Sequence, residues 1–379
     1  MAAPPPASAA GTPIDLGPPP RLGDPATDGA FKQAAVDVLR DSSQLDPADG
    51  IEIDVSPASL GNSELGTNDG AGYATNPSSG EPYVARLTKA ADYYRVLAEY
   101  WADGPTSETP PGHWNLIANS VAETPGFERR IGGTGPEVNA LEWDVKMYFA
   151  LNGAVHDAAI AAWGLKANYN SVRPISMIRY MGGLGQSSEP TGPSYDREGL
   201  PLVPDLVEVV TTDSSAPGQR HESLAEHVGD IAVRTWRGPP SDPTTETSGV
   251  GWIRAVDWVP YQRPTFVTPS FPGYVSGHST FSRAAAEVLT GITGSAFFPG
   301  GLADWTIEQG SLLHEEGPTA DVDLQWATYF DAADQAGLSR LYGGIHTSED
   351  DLTGRVVGDR AGLAAWALAQ TYFDGTAAP

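Results

Sequence analysis

The stretch PEVNALEWDVKMYFALNGAVHDAAIAAWGLK (136–166) constrains the fold more than any other part of the chain. After its first residue it contains no proline, and its apolar residues recur at helical spacing, so it predicts one long helix. Those residues lie on more than one side of the helix, which predicts a central, buried position. Other segments share the periodicity. YVARLTKAADYYRVLAEYWADG (83–104) places Val84, Leu87, Ala91, Tyr94, Leu97 and Trp101 at steps of three and four, before Thr109-Pro-Pro-Gly breaks the pattern. Segments 113–123, 278–293, 321–342 and 350–373 read as helices, 30–41 as a short one, and HESLAEHVGDIAVRTW (221–236) as another. No alternating strand pattern stands out, and no internal repeat.

The fold class expected is therefore all-α, two packed helical bundles with long loops. Residues 1–82 are rich in Pro, Gly and turn residues and predict an irregular arm with one short helix. Residues 83–379 predict a helical catalytic domain, interrupted by a polar loop excursion at about 183–262.

Charge narrows the function. The chain has 48 Asp+Glu against 22 Lys+Arg, a net charge of −26. Such a chain lacks the basic footprint that neutralises phosphate backbones, so nucleic acid is excluded as a partner. No apolar run is long enough to predict an integral membrane segment. There is no cysteine, hence no disulfide, no thiolate nucleophile and no Cys-ligated zinc. That absence suits oxidising chemistry, because thiols are the first side chains oxidised. The start, MAAPPPASAAGTP, has neither a basic nor an apolar signal region, as in a secreted or periplasmic chain whose signal peptide has been removed.

Against this acidic background three segments stand out: Lys166-ANYNSV-Arg173-Pro174, Ser276-Gly277-His278, and Ser339-Arg340-LYGGI-His346-TSE-Asp350. Lysine is scarce, at Lys32, Lys89, Lys146 and Lys166 only. Lys166, Arg173 and Arg340 offer three fixed cations. Ser276 is a hydroxyl donor at a helix N-cap, and Gly277 exposes an amide that can be approached closely. One of the two histidines can attack or ligate a central atom, and the other can shuttle protons. Asp350, four residues after His346, can fix that ring's tautomer. Together they make a cage for a tetrahedral oxyanion with an imidazole in line.

Lys-x6-Arg-Pro, Ser-Gly-His and Ser-Arg-x5-His-x3-Asp resemble the three-part signature of the vanadium-dependent haloperoxidase and type 2 phosphatidic acid phosphatase superfamily. Val275 stands where the second motif usually has proline. The resemblance spans 163–350 and extends to about residue 85 through AEYWADGPTSETPPGHWNLIAN (98–119), which looks like the helical preamble of bacterial haloperoxidase-like members. It implies vanadate as cofactor, with His346 as the axial vanadium ligand, or as the phosphorylated nucleophile in a phosphatase. It further implies that Lys166, Arg173, Ser276, Gly277 and Arg340 hold the equatorial oxygens and that His278 is the acid–base residue. Lys166 would polarise bound peroxide toward halide.

The sequence resembles the haloperoxidase side more than the phosphatase side. FPGYVSGHSTF (271–281) is similar to the fungal chloroperoxidase-like branch, where aromatics at the offsets of Trp163 and Phe271 line the halide site. The expected partners are then hydrogen peroxide, halide and an organic acceptor. The alternatives are a phosphomonoesterase with a histidine nucleophile and a non-catalytic oxyanion-binding protein.

Outside the motifs, Asp157 of the His156-Asp157 pair is expected to pair with a cage arginine or within the bundle. His113, His221, His227 and His314 have no evident partner and are expected at the surface or in structural roles. Asp321 and Asp323 are expected as helix N-terminal charge. An exposed aromatic on a long helix could serve a homo-oligomer.

Overall fold

Small residues define the centre of the molecule. In this computed structural model, which describes residues 14–102 and 108–377, the helix α6 (Gly277–Thr293) is buried on nearly every side, and most of its inward residues are Ala, Ser, Thr or Gly. Around it pack α3 (Pro110–Glu123), α4 (Ala140–Tyr169), α7 (Tyr329–Tyr342) and α8 (Ser348–Phe373). Helix α2 (Ala90–Tyr100) lies against α7, where Tyr94 stacks on Tyr342 with ring centroids 3.9 Å apart. The described chain is mostly helical, as the periodicity predicts.

The central position therefore belongs to α6. Helix α4 buries Trp143, Met147, Leu151, Val155 and Leu165 on one face. Its opposite side leaves Leu141, Val145, Phe149 and Ile160 at least half exposed. Apolar residues on several sides thus mark a helix with an apolar outer row rather than a fully enclosed one.

Helices α6 and α8 run parallel and almost touch. Added Cβ atoms at Gly354, Gly358 and Gly362 would meet Ser276 O, Thr280 O and Ala284 O at 3.0, 2.4 and 2.7 Å. Each step of four along α8 matches a step of four along α6, so the glycines form the contact seam. Gly358→Val is expected to destabilise the fold by about 1–3 kcal/mol through overpacking, read as a lower urea midpoint at unchanged slope. A wild-type midpoint would mean that the seam yields.

Smaller layers flank the bundle. Helices α1 (Asp28–Ser42) and α5 (Pro174–Leu184) share a second apolar cluster with the three-stranded antiparallel sheet β3 (Val207–Val209), β4 (Ile231–Trp236) and β5 (Val250–Arg254). Two further antiparallel pairs complete the strands: β1 (Glu52–Asp54) with β2 (Leu87–Lys89), and β6 (Ala303–Ile307) with β7 (Val322–Trp326).

These strands correct several expectations. Segment 221–236 is a short 3-10 turn followed by β4, because Ile231, Val233, Thr235 and Trp236 suit a pleated surface. The segments expected as helices from 83 and 321 pass first through β2 and β7 and turn helical only at Ala90 and Tyr329. Asp323 caps no helix: it lies in β7, ion-paired with Arg86 and bonded to Thr306 Oγ1 at 2.7 Å.

Candidate active site

Five helix ends meet around the three motifs. The last turn of α4 carries Lys166 and that of α7 carries Arg340, each cation at the negative end of a helix dipole. Helices α5, α6 and α8 start at the same place, with Arg173, Ser276 and Thr347 as N-caps. Their first amides present positive dipole ends. Pro174 at the first position of α5 needs no amide donor there, and Ser276 Oγ accepts from Ser279 N. Between α7 and α8, Gly344 adopts φ +70°, which turns the chain so that Ile345 and His346 reach inward.

The links between motifs are short. Arg173 Nη1 donates to Ile345 O at 2.9 Å and lies 3.0 Å from His346 Nε2. Its Nε donates to Phe271 O at 3.0 Å. Lys166 Nζ donates to Pro272 O and Gly273 O at 3.0 and 2.7 Å. Ser276 N donates to Asp350 O at 2.8 Å. Arg340 donates through Nε to Ser339 Oγ and through Nη2 to Ala98 O, at 2.9 and 2.7 Å. Lys166, Arg173, Ser276, Arg340, His346 and Asp350 are all buried.

Electrostatics fix the state of His346. Burial first, then Arg173 and Lys166, hold its pKa well below the usual value, so the ring is neutral. Its Nδ1 is 2.8 Å from Asp350 Oδ2. Nδ1 therefore carries the proton and donates to the carboxylate, which leaves a lone pair on Nε2 facing Arg173. Asp350 is oriented by a reciprocal capping box with Thr347, not by a helical turn shared with His346. Burial raises Asp350 to about 6, with Lys166 and Arg173 opposing the rise.

His278 Nε2 lies 2.7 Å from Trp101 O. A carbonyl only accepts, so Nε2 bears the proton and Nδ1 is free to take one. Burial, then Arg340, depress this ring as well.

Burial and the Arg173 charge push Lys166 down to about 7. An anion favours the protonated amine, so anion affinity is expected to fall as pH rises above about 7, by at most about tenfold per unit. Sulfate, whose charge is constant over this range, is a suitable calorimetric probe. Lys166→Met should flatten the profile, and a slope unchanged in that variant would assign the titration to another group.

Gly277 lets the Trp163 ring approach the start of α6 closely. A Cβ there would lie 3.2 Å from the Trp163 ring. Trp163 and Phe271 do not lie in the core, being 42% and 37% exposed. Their ring centroids are 5.2 Å apart, and Lys166 Nζ is 5.7 and 5.4 Å from them. Sequence reasoning missed the carbonyls of Ala98, Trp101, Pro272 and Gly273 that orient the cations and His278. Backbone acceptors leave no residue-type signature. Thr347 had one, because Thr-x-x-Asp before a helix is a capping pattern.

Other expectations are revised. His156 is exposed and lies 3.5 Å from Asp157, which meets no cage arginine. Of the four other histidines, His113, His221 and His314 are buried, as structural residues are, and His227 is half-buried. His113 packs against Tyr100 and Trp101, with ring centroids 5.1 and 5.3 Å away.

The donor set matches an oxyanion. Three cations, a hydroxyl and helix amides would repel a bare metal cation, and the buried Arg173 Nη2 has no hydrogen-bond partner. Vanadate fits these residues. The family model described as the VCPO second helical-bundle domain matches residues 146–375 and so takes in all three motifs. The chain belongs to the vanadium haloperoxidase-like family. Two solved structures share its fold. An apo-type bacterial vanadium-dependent chloroperoxidase has 17% identity and a TM-score of 0.58, covering 98% of this chain and 61% of its own. A holo-type bacterial vanadium-dependent chloroperoxidase has 18% identity and a TM-score of 0.53, covering 96% of this chain and 59% of its own. The chain thus spans about three fifths of these family members. A comparison with curated protein sequences gives no match. Among the described residues, no helix is long and apolar enough to cross a membrane.

Proposed function

We propose that this chain is a vanadate-dependent haloperoxidase, converting halide, hydrogen peroxide and a proton to hypohalous acid and water. The observation that carries this reading is the exposed Trp163–Phe271 pair standing over Lys166. An apolar wall beside a buried cation favours a weakly hydrated halide over water. Lys166, Arg173, Arg340, Ser276 and the Gly277 amide would hold the vanadate oxygens, with His346 Nε2 toward vanadium. When bound, vanadate supplies the Lewis acid that activates peroxide for two-electron oxidation.

The chain's own groups do the rest. His278 takes and returns a proton at Nδ1 while Trp101 O holds Nε2. Asp350 keeps the His346 proton on Nδ1, so Nε2 stays unprotonated. Lys166 places its charge between the anion cage and the aromatic pair.

The neutral, Asp350-backed His346 supports a second reading as well, since a histidine nucleophile needs the same arrangement. Halogenation of monochlorodimedone and hydrolysis of p-nitrophenyl phosphate separate the two. Halogenation that appears only on adding vanadate is expected. Phosphate release inhibited by vanadate would replace this reading with a phosphomonoesterase, and anion binding with neither activity would leave an oxyanion-binding protein.

A further inference from the structure

Beside the cage lies a cleft of about 760 Å³, lined by most of the residues in segments 170–176 and 259–272 together with Pro239. Its size is that of a site for a small organic molecule. Three of its wall residues also touch the cage: Arg173 reaches His346, Phe271 flanks Lys166, and the Pro272 carbonyl accepts from Lys166. A molecule in the cleft would therefore be separated from the cage by single side chains.

The lining has a definite chemistry. Prolines and valines dominate it, and Val172 and Val267 are 47% and 68% exposed. Exposed aliphatic side chains gathered at a concave wall mark a place where an apolar ligand removes them from water. In a chain with 48 acidic residues, no Asp or Glu lines the cleft, whereas two arginines do. Arg173 is buried and turned to the cage, its Nε and Nη1 held by Phe271 O, Ile345 O and His346. The Arg263 side chain makes no hydrogen bond or ion pair among the described residues; its charge acts on Glu99 and His314 through space only, which leaves its guanidinium donors open to a ligand in the cleft.

We propose that this cleft binds the organic acceptor, an electron-rich aromatic compound carrying one carboxylate, with the carboxylate on Arg263 and the ring toward Phe271. A guanidinium pairs with a carboxylate through two parallel hydrogen bonds, and the apolar wall takes the ring. This deepens the haloperoxidase reading and rests on it for the fate of the ligand. Hypohalous acid leaving the cage beside Phe271 would transfer its halogen to the ring carbon, the displaced ring proton combining with hydroxide to give water.

The probe is 6-hydroxy-2-naphthoate, followed by its own fluorescence on protein without vanadate. Saturable binding is expected. Arg263→Gln should weaken it about tenfold or more, the loss of one charge-assisted pair. Val267→Asp should weaken it further by adding a like charge to the wall. Neutral 2-naphthol should bind more weakly and ignore Arg263→Gln. Sulfate affinity in each variant reports that the cage is intact. Equal binding of naphthoate by wild type and both variants, or no saturable binding, overturns the assignment. If naphthoate binding depends on Arg263 yet vanadate confers no halide oxidation, the cleft stands and the haloperoxidase reading falls. If monochlorodimedone is halogenated normally and naphthoate does not bind, the cleft assignment falls alone.

Discussion

His346→Ala is expected to abolish tight vanadate binding and to lower vanadate-dependent halogenation by at least about a thousandfold. The ring is buried and neutral, and its unprotonated Nε2 points into the cage. The other neutral imidazole of the cage, His278, is tied through Nε2 to Trp101 O and is assigned to proton transfer. Lys166, Arg173 and Arg340 would remain, so sulfate should still bind, weakened by less than about tenfold. Equilibrium dialysis with vanadate, beside sulfate calorimetry, measures both. Retention of vanadate together with turnover would show that vanadium is held elsewhere. Asp350→Asn sits between the extremes: loss of the charge that orients Nδ1–H should cost about 10–100-fold.

The second large effect concerns stability. Arg355 is almost completely buried, and its Nε and Nη2 meet both oxygens of the equally buried Asp351 at 3.0 and 2.6 Å. Asp351 also accepts from Ser279 Oγ of α6 at 2.7 Å, while Arg355 Nη1 lies 3.1 Å from Asp334 of α7 and donates to Thr67 O at 3.0 Å. One guanidinium therefore joins three helices and the N-terminal segment. Arg355→Met leaves Asp351 buried without its counter-charge, and the expected loss is about 3–5 kcal/mol of unfolding free energy. Urea denaturation measures it, and adding Asp351→Asn should recover part of the loss. A single variant as stable as wild type would mean that water reaches the pair.

Most of the site could be read from sequence because its chemistry resides in rare side chains at fixed spacings. In a chain with four lysines, Lys166 followed by Arg173-Pro174 is conspicuous, and Ser276-Gly277 before an apolar run marks a helix start. Asp350 was identified through a four-residue step, although the structure places it by a capping box. What stayed hidden depends on shape. Helix α6 is central because its residues are small, and smallness has no periodicity. Strand β4 followed a helix-like polar run that masked it. Arg263 became notable only once folding placed it in a cleft that no acid lines.

The parallel contact of α6 with α8 carries a further implication. Ser276–Gly277 and Thr347–Asp350 begin helices whose backbones are seated on each other along three glycines. The spacing between two halves of the anion cradle is thus set by a rigid strut, several turns long, rather than by loops. Damage far down that strut would reach the reaction centre as a misalignment, so a defect that contacts no reactant would present as an enzyme that folds, binds poorly and turns over slowly.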